Sequence, residues 1–255
     1  MTSGQWKSFT AFRDEYRSLC ERWQQFSDEL YPIQKCLAGK SSRSYTIETP
    51  VVYNRAFDEV CESDEIRYII VADNPGKEEQ RLINQRYLVG YSGKVAKNFF
   101  SRTPSLNADF TKNVLVMNKT PIHTANSEQL NHLFQASGET IRKLILETQY
   151  ECARVTFYLH KGLLENSVSS FPQLWLVGFF EMKKGKVLHH YKENLLKFYK
   201  NSEAWNKVFV FKHFSMNRFC GELNTYLKEK QTSDVISALA EIGLKHKDVV
   251  FSESF

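Results

Sequence analysis

The sequence predicts an α/β fold, a three-layer α/β/α sandwich around a central, mainly parallel four-stranded sheet. Four short, nearly continuous apolar runs predict the strands, at residues 66–72, 113–118, 173–180 and 207–213. Apolar runs without polar alternation are typical of strands that are covered on both faces, as in a parallel sheet. Stretches of helical periodicity separate the runs, which indicates βαβ units.

The first predicted helix carries a stripe of large apolar side chains, which recur every three or four residues between Trp6 and Phe26. Such a stripe predicts a helix face that packs on the core. The serine-rich stretch at residues 38–45 predicts a loop after it. The predicted helices cover residues 5–31, 92–103, 127–149, 184–200 and 216–230. We expect a single domain, 1–255, with residues 1–45 as an N-terminal helical extension packed on the core.

The composition is that of an ordinary globular protein, with 255 residues, 42% hydrophobic and 25% charged. No apolar run approaches the roughly 20 residues of a membrane span, and no signal-peptide pattern opens the chain. We therefore expect a cytoplasmic protein, or a nuclear one in a eukaryote. Five scattered cysteines without a C-x-x-C pair indicate reduced thiols and no zinc site. The net charge of +5 is compatible with nucleic-acid binding without establishing it.

Polar side chains follow three of the predicted strands at the edge where α/β sheets bind ligands. The first strand is followed by Asp73 and Asn74, the second ends at Asn118, and the fourth ends at His213. Each has a structural explanation when taken alone, such as an Asx-turn or a hydrogen-bonded histidine at a strand end. Their joint placement favours a site that positions a water, reads a planar amide-like edge and stabilises a developing anion.

The order and spacing of these segments resemble the uracil-DNA glycosylase superfamily. The stretch "ADNPG" is similar to the first family motif, G-x-[D/N]-P-[Y/G], with Ala72 in place of the leading glycine, and is closest to the N-P-G branches. The stretch "MNKTPI" resembles the second motif, which bears an asparagine. The stretch "HFSMN" is similar to the final H-P-S motif, with Phe214 in place of proline. The resemblance implies a catalytic core at 66–220.

The stretch "YLVGYSGKVAKNF" resembles the segment that follows the first motif in the iron–sulfur branch. The cysteines of that branch are missing, and Asn118 stands where one of them is often found, so no cluster and no other cofactor is expected. Leu88 stands where that branch has an aromatic residue that stacks on the base. Tyr87 or Tyr91 would supply the stacking, and the sequence does not decide between them.

The resemblance implies hydrolysis of the N-glycosidic bond of uracil, or of a related deaminated base, after base flipping in DNA. Asn74 would orient the water, while Asp73 would support it or act as general base, and we favour Asn74 for positioning. Asn118 would pair with the N3–H and O4 of uracil. His213 would donate a hydrogen bond to the oxyanion of the base, since the start of a helix favours its neutral form. Gly76 would leave the pocket floor open towards thymine.

The resemblance also implies a DNA-binding surface around the start of the helix that follows the fourth strand. Met216 is a candidate wedge for the space left by a flipped base, with core packing as an equal alternative. The predicted DNA contacts are Ser215, Met216, Asn217, Arg218, Lys212 and Lys119. DNA is the expected partner of a monomeric, monofunctional glycosylase in base-excision repair, and no membrane partner is expected.

Three alternatives remain open. The first is a glycosylase for hypoxanthine, xanthine or thymine mispairs. The second is a non-catalytic DNA-binding relative, suggested by Ala72 and Phe214. The last is an unrelated phosphate-binding enzyme that uses residues 74–77, which ranks lowest because that loop has one glycine and Pro75 removes a backbone N–H.

Overall fold

The sheet of this protein is parallel throughout and has four strands, as the sequence predicts. The computed structural model describes residues 1–41, 44–167 and 171–252. The strands are β1 Tyr68–Ala72, β2 Val114–Asn118, β3 Gln173–Val177 and β4 Val208–Phe211. Helices flank the sheet on both sides, which completes a three-layer α/β/α sandwich. None of the helices in the described ranges combines the length and apolar content that a bilayer crossing requires.

The helices begin and end within a few residues of the predicted ones, with two exceptions. They are α1 Ser3–Gln24, α2 Ser27–Gly39, α3 Tyr91–Arg102, α4 Ser127–Ala136, α5 Glu139–Glu165, α6 His189–Tyr199, α7 Arg218–Glu229 and α8 Val235–Phe251. Two of the predicted helices, 5–31 and 127–149, are each two helices. In the second case Ser137 and Gly138 have extended backbone, and glycine is a poor helix former.

The structure departs from the predicted elements in two further places. The last helix, α8, has no counterpart in the sequence prediction. The predicted loop at 38–45 begins later, because α2 continues to Gly39. Ser42 and Arg43 of that loop lie outside the described residues.

The strand order is β2-β1-β3-β4. From β1 the chain crosses to β2 through α3, and from β2 it returns over β1 to β3 through α4 and α5. Right-handed crossovers in opposite directions place α3 on one face of the sheet and α5 on the other. The connections of β1 and β3 therefore leave in opposite directions. A crevice opens at the carboxyl ends of two such neighbouring strands, and ligands bind there in open α/β sheets.

An aromatic layer supports this edge of the sheet from below. The indole of Trp175 on β3 contacts Tyr68 of β1 and Phe211 of β4, with ring centroids 4.8 and 5.0 Å apart. It also stacks on Phe219 of α7 at 5.9 Å. These contacts pack the start of α7 against β3 and β4. They therefore fix the position of the turn between β4 and α7.

Candidate functional site

A buried ion pair lies where three strands end. Lys119 follows β2, and its Nζ donates to Asp73 Oδ1 beyond β1 and to the carbonyl of Val177 on β3, both at 2.6 Å. The Lys119 side chain is completely buried, whereas 16% of the Asp73 side chain remains exposed. The structure contradicts the prediction that Lys119 contacts DNA, because its ammonium is inside the protein and bound to Asp73.

Gly178 allows the Asp73 carboxylate to lie against the end of β3. Its backbone has a φ of +85°, and a Cβ added here would be 2.6 and 2.7 Å from the two carboxylate oxygens of Asp73. Only glycine tolerates this backbone conformation and this approach together. The Asp73 side chain is therefore held in place by Lys119 on one side and by the backbone of Gly178 on the other.

The amide of Asn74 is oriented by the loop that follows β2. Its Nδ2 donates to the Thr124 carbonyl at 3.1 Å, to Thr124 Oγ1 at 2.9 Å and to the Pro75 carbonyl at 3.2 Å. These acceptors use both hydrogens of the amide, so the side-chain oxygen is left to accept a hydrogen bond from a water. This geometry is what a water-positioning residue requires.

His123 supports the same loop from behind. Its Nδ1 donates to the Pro75 carbonyl at 2.8 Å, and its Nε2 accepts from the Tyr45 hydroxyl at 3.0 Å. Because a carbonyl only accepts, the proton is on Nδ1. Burial lowers the pKa of His123 to about 4, so the ring is neutral near pH 7. Neither His123 nor Thr124 is among the site residues that the sequence predicts, although both lie in the loop after Asn118.

Glu79 connects the loop after β1 to the segment before α3. It is 8% exposed, its Oε2 accepts from the backbone N–H of Gly76 at 3.0 Å, and its Oε1 accepts from that of Leu88 at 2.8 Å. Leu88 is buried with a φ of +55°. A Cβ added at Gly76 would meet no atom within 4 Å, which leaves open space beside this loop. The carboxyl of Glu79 thus fixes Gly76 and Leu88, two residues that are predicted to bind the base. Glu79 itself is not among the site residues that the sequence predicts.

Glu79 should make the stability of the protein depend on pH. Burial raises its pKa from 4.5 to about 7 against the opposing effect of backbone N–H donors. The folded state therefore holds a proton that the unfolded state has lost between these pH values, so the unfolding free energy falls as pH rises through this window. Relative to Glu79→Gln, we expect the wild type to lose about 1.4 kcal/mol per pH unit.

The measurement is urea unfolding of both proteins at half-unit steps from pH 4.5 to 8. Glu78→Gln is the matched control, because Glu78 is the exposed neighbour in the same loop. Parallel pH curves for wild type and Glu79→Gln would contradict the prediction.

Asn118 is the most unusual polar residue of this edge. It is completely buried at the last position of β2, opposite Ala72 of β1, and neither its Oδ1 nor its Nδ2 has a hydrogen-bond partner within the described chain. Burying an unsatisfied amide costs about 1–3 kcal/mol. Such groups are rare in folded proteins, and an unsatisfied one calls for a specific explanation. Because no surface of this side chain is exposed, a ligand with a complementary edge would satisfy both atoms only after the residues that cover them move.

His213 follows β4 as a neutral hydrogen-bond donor. Its Nδ1 accepts from the backbone N–H of Ser215 at 3.1 Å, so the ring proton is on Nε2. Burial lowers the pKa of His213, the carboxylate of Asp73 partly opposes this, and the charges of Lys119 and Arg218 add to it. The ring is therefore a neutral Nε2–H donor close to the ion pair.

The turn between β4 and α7 exposes the predicted wedge. Met216 is 67% exposed and has a φ of +53°, and the exposed Asn217 follows with +55°. Two consecutive left-handed residues other than glycine are strained. The core-packing alternative for Met216 is therefore wrong. Phe214 takes that place: it is completely buried and stacks on Phe219 at 4.4 Å.

The remaining predicted site residues differ in their exposure to solvent and in their partners. Arg218 is exposed beside Met216. Lys212 is paired with Glu222 at 2.9 Å. Tyr91 is 69% exposed at the first turn of α3.

Tyr87 belongs to the core. It is buried, with its hydroxyl bonded to the Val52 carbonyl at 2.6 Å and to the Tyr16 hydroxyl of α1 at 2.7 Å. The structure thus favours Tyr91 over Tyr87 as the aromatic residue available at the surface.

The edge of the sheet thus brings together Asp73, Asn74, Asn118 and His213, with Lys119 beneath them. Within the described ranges, no three histidine, cysteine, aspartate or glutamate residues are grouped as metal ligands would be. Comparison of the chain with protein-family models, with curated proteins and with solved structures finds no match.

Proposed function

We propose that this protein is a DNA glycosylase that flips uracil, or a related deaminated base, out of DNA and hydrolyses its N-glycosidic bond. The buried, unpaired amide of Asn118 is the observation that carries the proposal. An amide presents an acceptor and a donor in one plane, which complements the N3–H and O4 of uracil. Cytosine presents the opposite polarity at these positions, so it would pair with this amide only if the side chain turned over.

The water side of the reaction is supported by Asn74 and Asp73. The Asn74 side-chain oxygen accepts from the attacking water, while its nitrogen is held by Thr124. The water oxygen bonds to the sugar carbon as the carbon–nitrogen bond breaks. An amide cannot take the released proton, so Asp73 receives it. Its charge also stabilises the cationic character that develops on the sugar.

The leaving-group side is supported by His213. The electron pair of the broken bond leaves with the base, which becomes an anion. Nδ1 of His213 accepts from Ser215, and among the described residues no acceptor binds its Nε2–H, which is therefore available to that anion. A neutral donor stabilises the anion throughout the step without transferring its proton.

The turn at Met216 supports contact with DNA. Flipping a nucleotide costs roughly a few kcal/mol, and an apolar side chain that enters the vacated space offsets part of this cost. Met216 is exposed in a strained turn, with Arg218 beside it as a candidate phosphate contact. The open space beside Gly76 favours a second candidate substrate, a thymine or hypoxanthine base in a mispair.

Base release from defined oligonucleotides tests the proposal. Duplex and single-stranded oligonucleotides with one uracil, hypoxanthine or mispaired thymine are incubated with the protein, and abasic sites are cleaved with alkali. We expect scission at uracil, and a loss of at least about tenfold in rate for Asn118→Ala, since each unsatisfied bond in a bidentate pair costs 1–3 kcal/mol.

Asn98→Ala is the matched control for Asn118→Ala, because Asn98 is exposed on α3. Scission at hypoxanthine or thymine alone would support the second candidate substrate, a base in a mispair, in place of uracil. No scission at any base, or equal rates for Asn118→Ala and wild type, would contradict the proposal.

A further inference from the structure

Lys119 connects three strands at the edge where the candidate site lies. Its backbone N–H donates to the Ala72 carbonyl of β1 at 2.9 Å. Its Nζ reaches across β1 to the Val177 carbonyl at the end of β3, and binds Asp73 Oδ1 on the way. The ammonium thus lies at the point between β1 and β3 where the chain connections diverge, directly below the predicted crevice.

Stability alone does not account for a cation at this position. Burial lowers the pKa of Lys119, which the carboxylates of Asp73 and Glu181 partly oppose. Removing an ammonium from water is costly, and an apolar pair of similar volume often stabilises a core as well as a buried ion pair does. The ion pair is therefore weak evidence for stability, and its effect on Asp73, the proposed proton acceptor, is the other role it can have.

The two oxygens of Asp73 have different surroundings. Oδ1 accepts from Lys119 Nζ, whereas Oδ2 accepts no hydrogen bond from any residue in the described ranges. The carboxylate also lies directly against the backbone of Gly178, where a Cβ would be within 2.7 Å of both oxygens. With one oxygen bound and the carboxylate confined, the other oxygen is the one left to take a proton from a water.

We propose that Lys119 is a positioning residue of this site: it holds Asp73 by Oδ1 and leaves Oδ2 free to accept the proton of the attacking water. This inference rests on the proposed glycosylase function. Lys119 touches neither the base nor the water, and it acts only through Asp73. Its positive charge also reduces the repulsion between Asp73 and the base anion that leaves beside His213.

Charged side chains that follow β3 and β4 also act on the Lys119–Asp73 ion pair and on His213. Glu181 after β3 acts on Lys119, and Arg218 at the start of α7 acts on His213. Removing the lysine leaves Asp73 beside the neutral ring of His213 and removes the hydrogen bond that fixes Oδ1.

Single-turnover rates of base release between pH 5 and 9 test the inference. The proteins are wild type, Lys119→Met, Asp73→Asn and the double variant, with excess enzyme over a uracil oligonucleotide. We expect Lys119→Met to slow release at least about tenfold, since Asp73 loses the contact that orients it. We expect the double variant to be as slow as Asp73→Asn alone, because Lys119 acts only through Asp73.

Affinity and folding are measured alongside. The Kd for the same duplex without uracil should change less than about twofold in Lys119→Met, because this substitution removes no contact with a DNA phosphate. Lys143→Met is the matched control, because Lys143 pairs with Glu139 at 2.7 Å on the surface of α5. The double variant removes both charges and leaves neither partner unpaired, so it remains informative if a single variant does not fold.

The outcomes separate this inference from the proposed function. If the wild type releases no base, the proposed function fails and the inference fails with it. If the wild type is active and Lys119→Met keeps its rate, the inference alone is overturned. It is also overturned if the folded double variant is much slower than Asp73→Asn, since Lys119 would then act independently of Asp73.

Discussion

His213→Ala is expected to slow base release by about 100- to 1,000-fold, which is the usual loss when one donor to a developing oxyanion is removed. The loss should appear in the single-turnover rate, since the Nε2–H of His213 acts on charge that develops during bond cleavage. Affinity for intact DNA should change little. The measurement is the single-turnover rate on a uracil oligonucleotide, together with the Kd for the same duplex without uracil.

His132→Ala is the control for this prediction, because His132 is exposed on α4 and away from the strand ends. It should keep the wild-type rate. The melting temperature of His213→Ala must also be measured, since the Ser215 N–H loses its acceptor in that variant. A folded His213→Ala protein with a rate within threefold of the wild type would exclude the proposed role of His213.

Gly93→Ala is expected to have the largest effect on stability. A Cβ at Gly93 would lie 1.6 Å from the carbonyl oxygen of Leu88, so the backbone must move. Leu88 is held by Glu79 through its N–H and has a positive φ, so it has little freedom to adjust. We expect a loss of about 3 kcal/mol or more, at the upper end for overpacked sites.

Scanning calorimetry measures this effect, and a loss of that size should lower Tm by roughly 6–12 °C in a chain of this length. Gly221→Ala is the matched control, because Gly221 lies within α7 and a Cβ there would meet no atom within 4 Å. It should be neutral or stabilising by up to about 1 kcal/mol. Equal melting temperatures for the two variants would contradict the close approach of Gly93 and Leu88.

The strands could be predicted from the sequence because each is buried on both faces, and burial alone requires continuous apolar runs such as "YIIVA" and "VLVMN". The break between α4 and α5 was missed because the apolar periodicity continues across it. Local backbone at Ser137 and Gly138, rather than hydrophobic pattern, ends α4. The helix α8 lies after the last predicted element and packs on β4.

The candidate site was predictable to the extent that its residues directly follow strands. Asp73, Asn74, Asn118 and His213 satisfy this condition, because parallel strands bring their carboxyl ends to one edge. The sequence could not distinguish a surface lysine from Lys119, since the type of residue is the same and only its neighbours differ. Similarly, Glu79 lies in a charged stretch that has the pattern of an exposed loop.

By itself, the sequence determined the α/β class, the parallel strands and the residue types at their ends, because these follow from local patterns of apolar and polar residues. Only the tertiary structure decided the partners of those residues. In the folded protein Lys119 binds Asp73, and Asn118 is buried without a partner among the described residues. Met216 is exposed, and Phe214 lies in the core. Hydrogen bonds, burial and charge depend on distances between segments far apart in the chain, and those distances exist only once the sheet has formed.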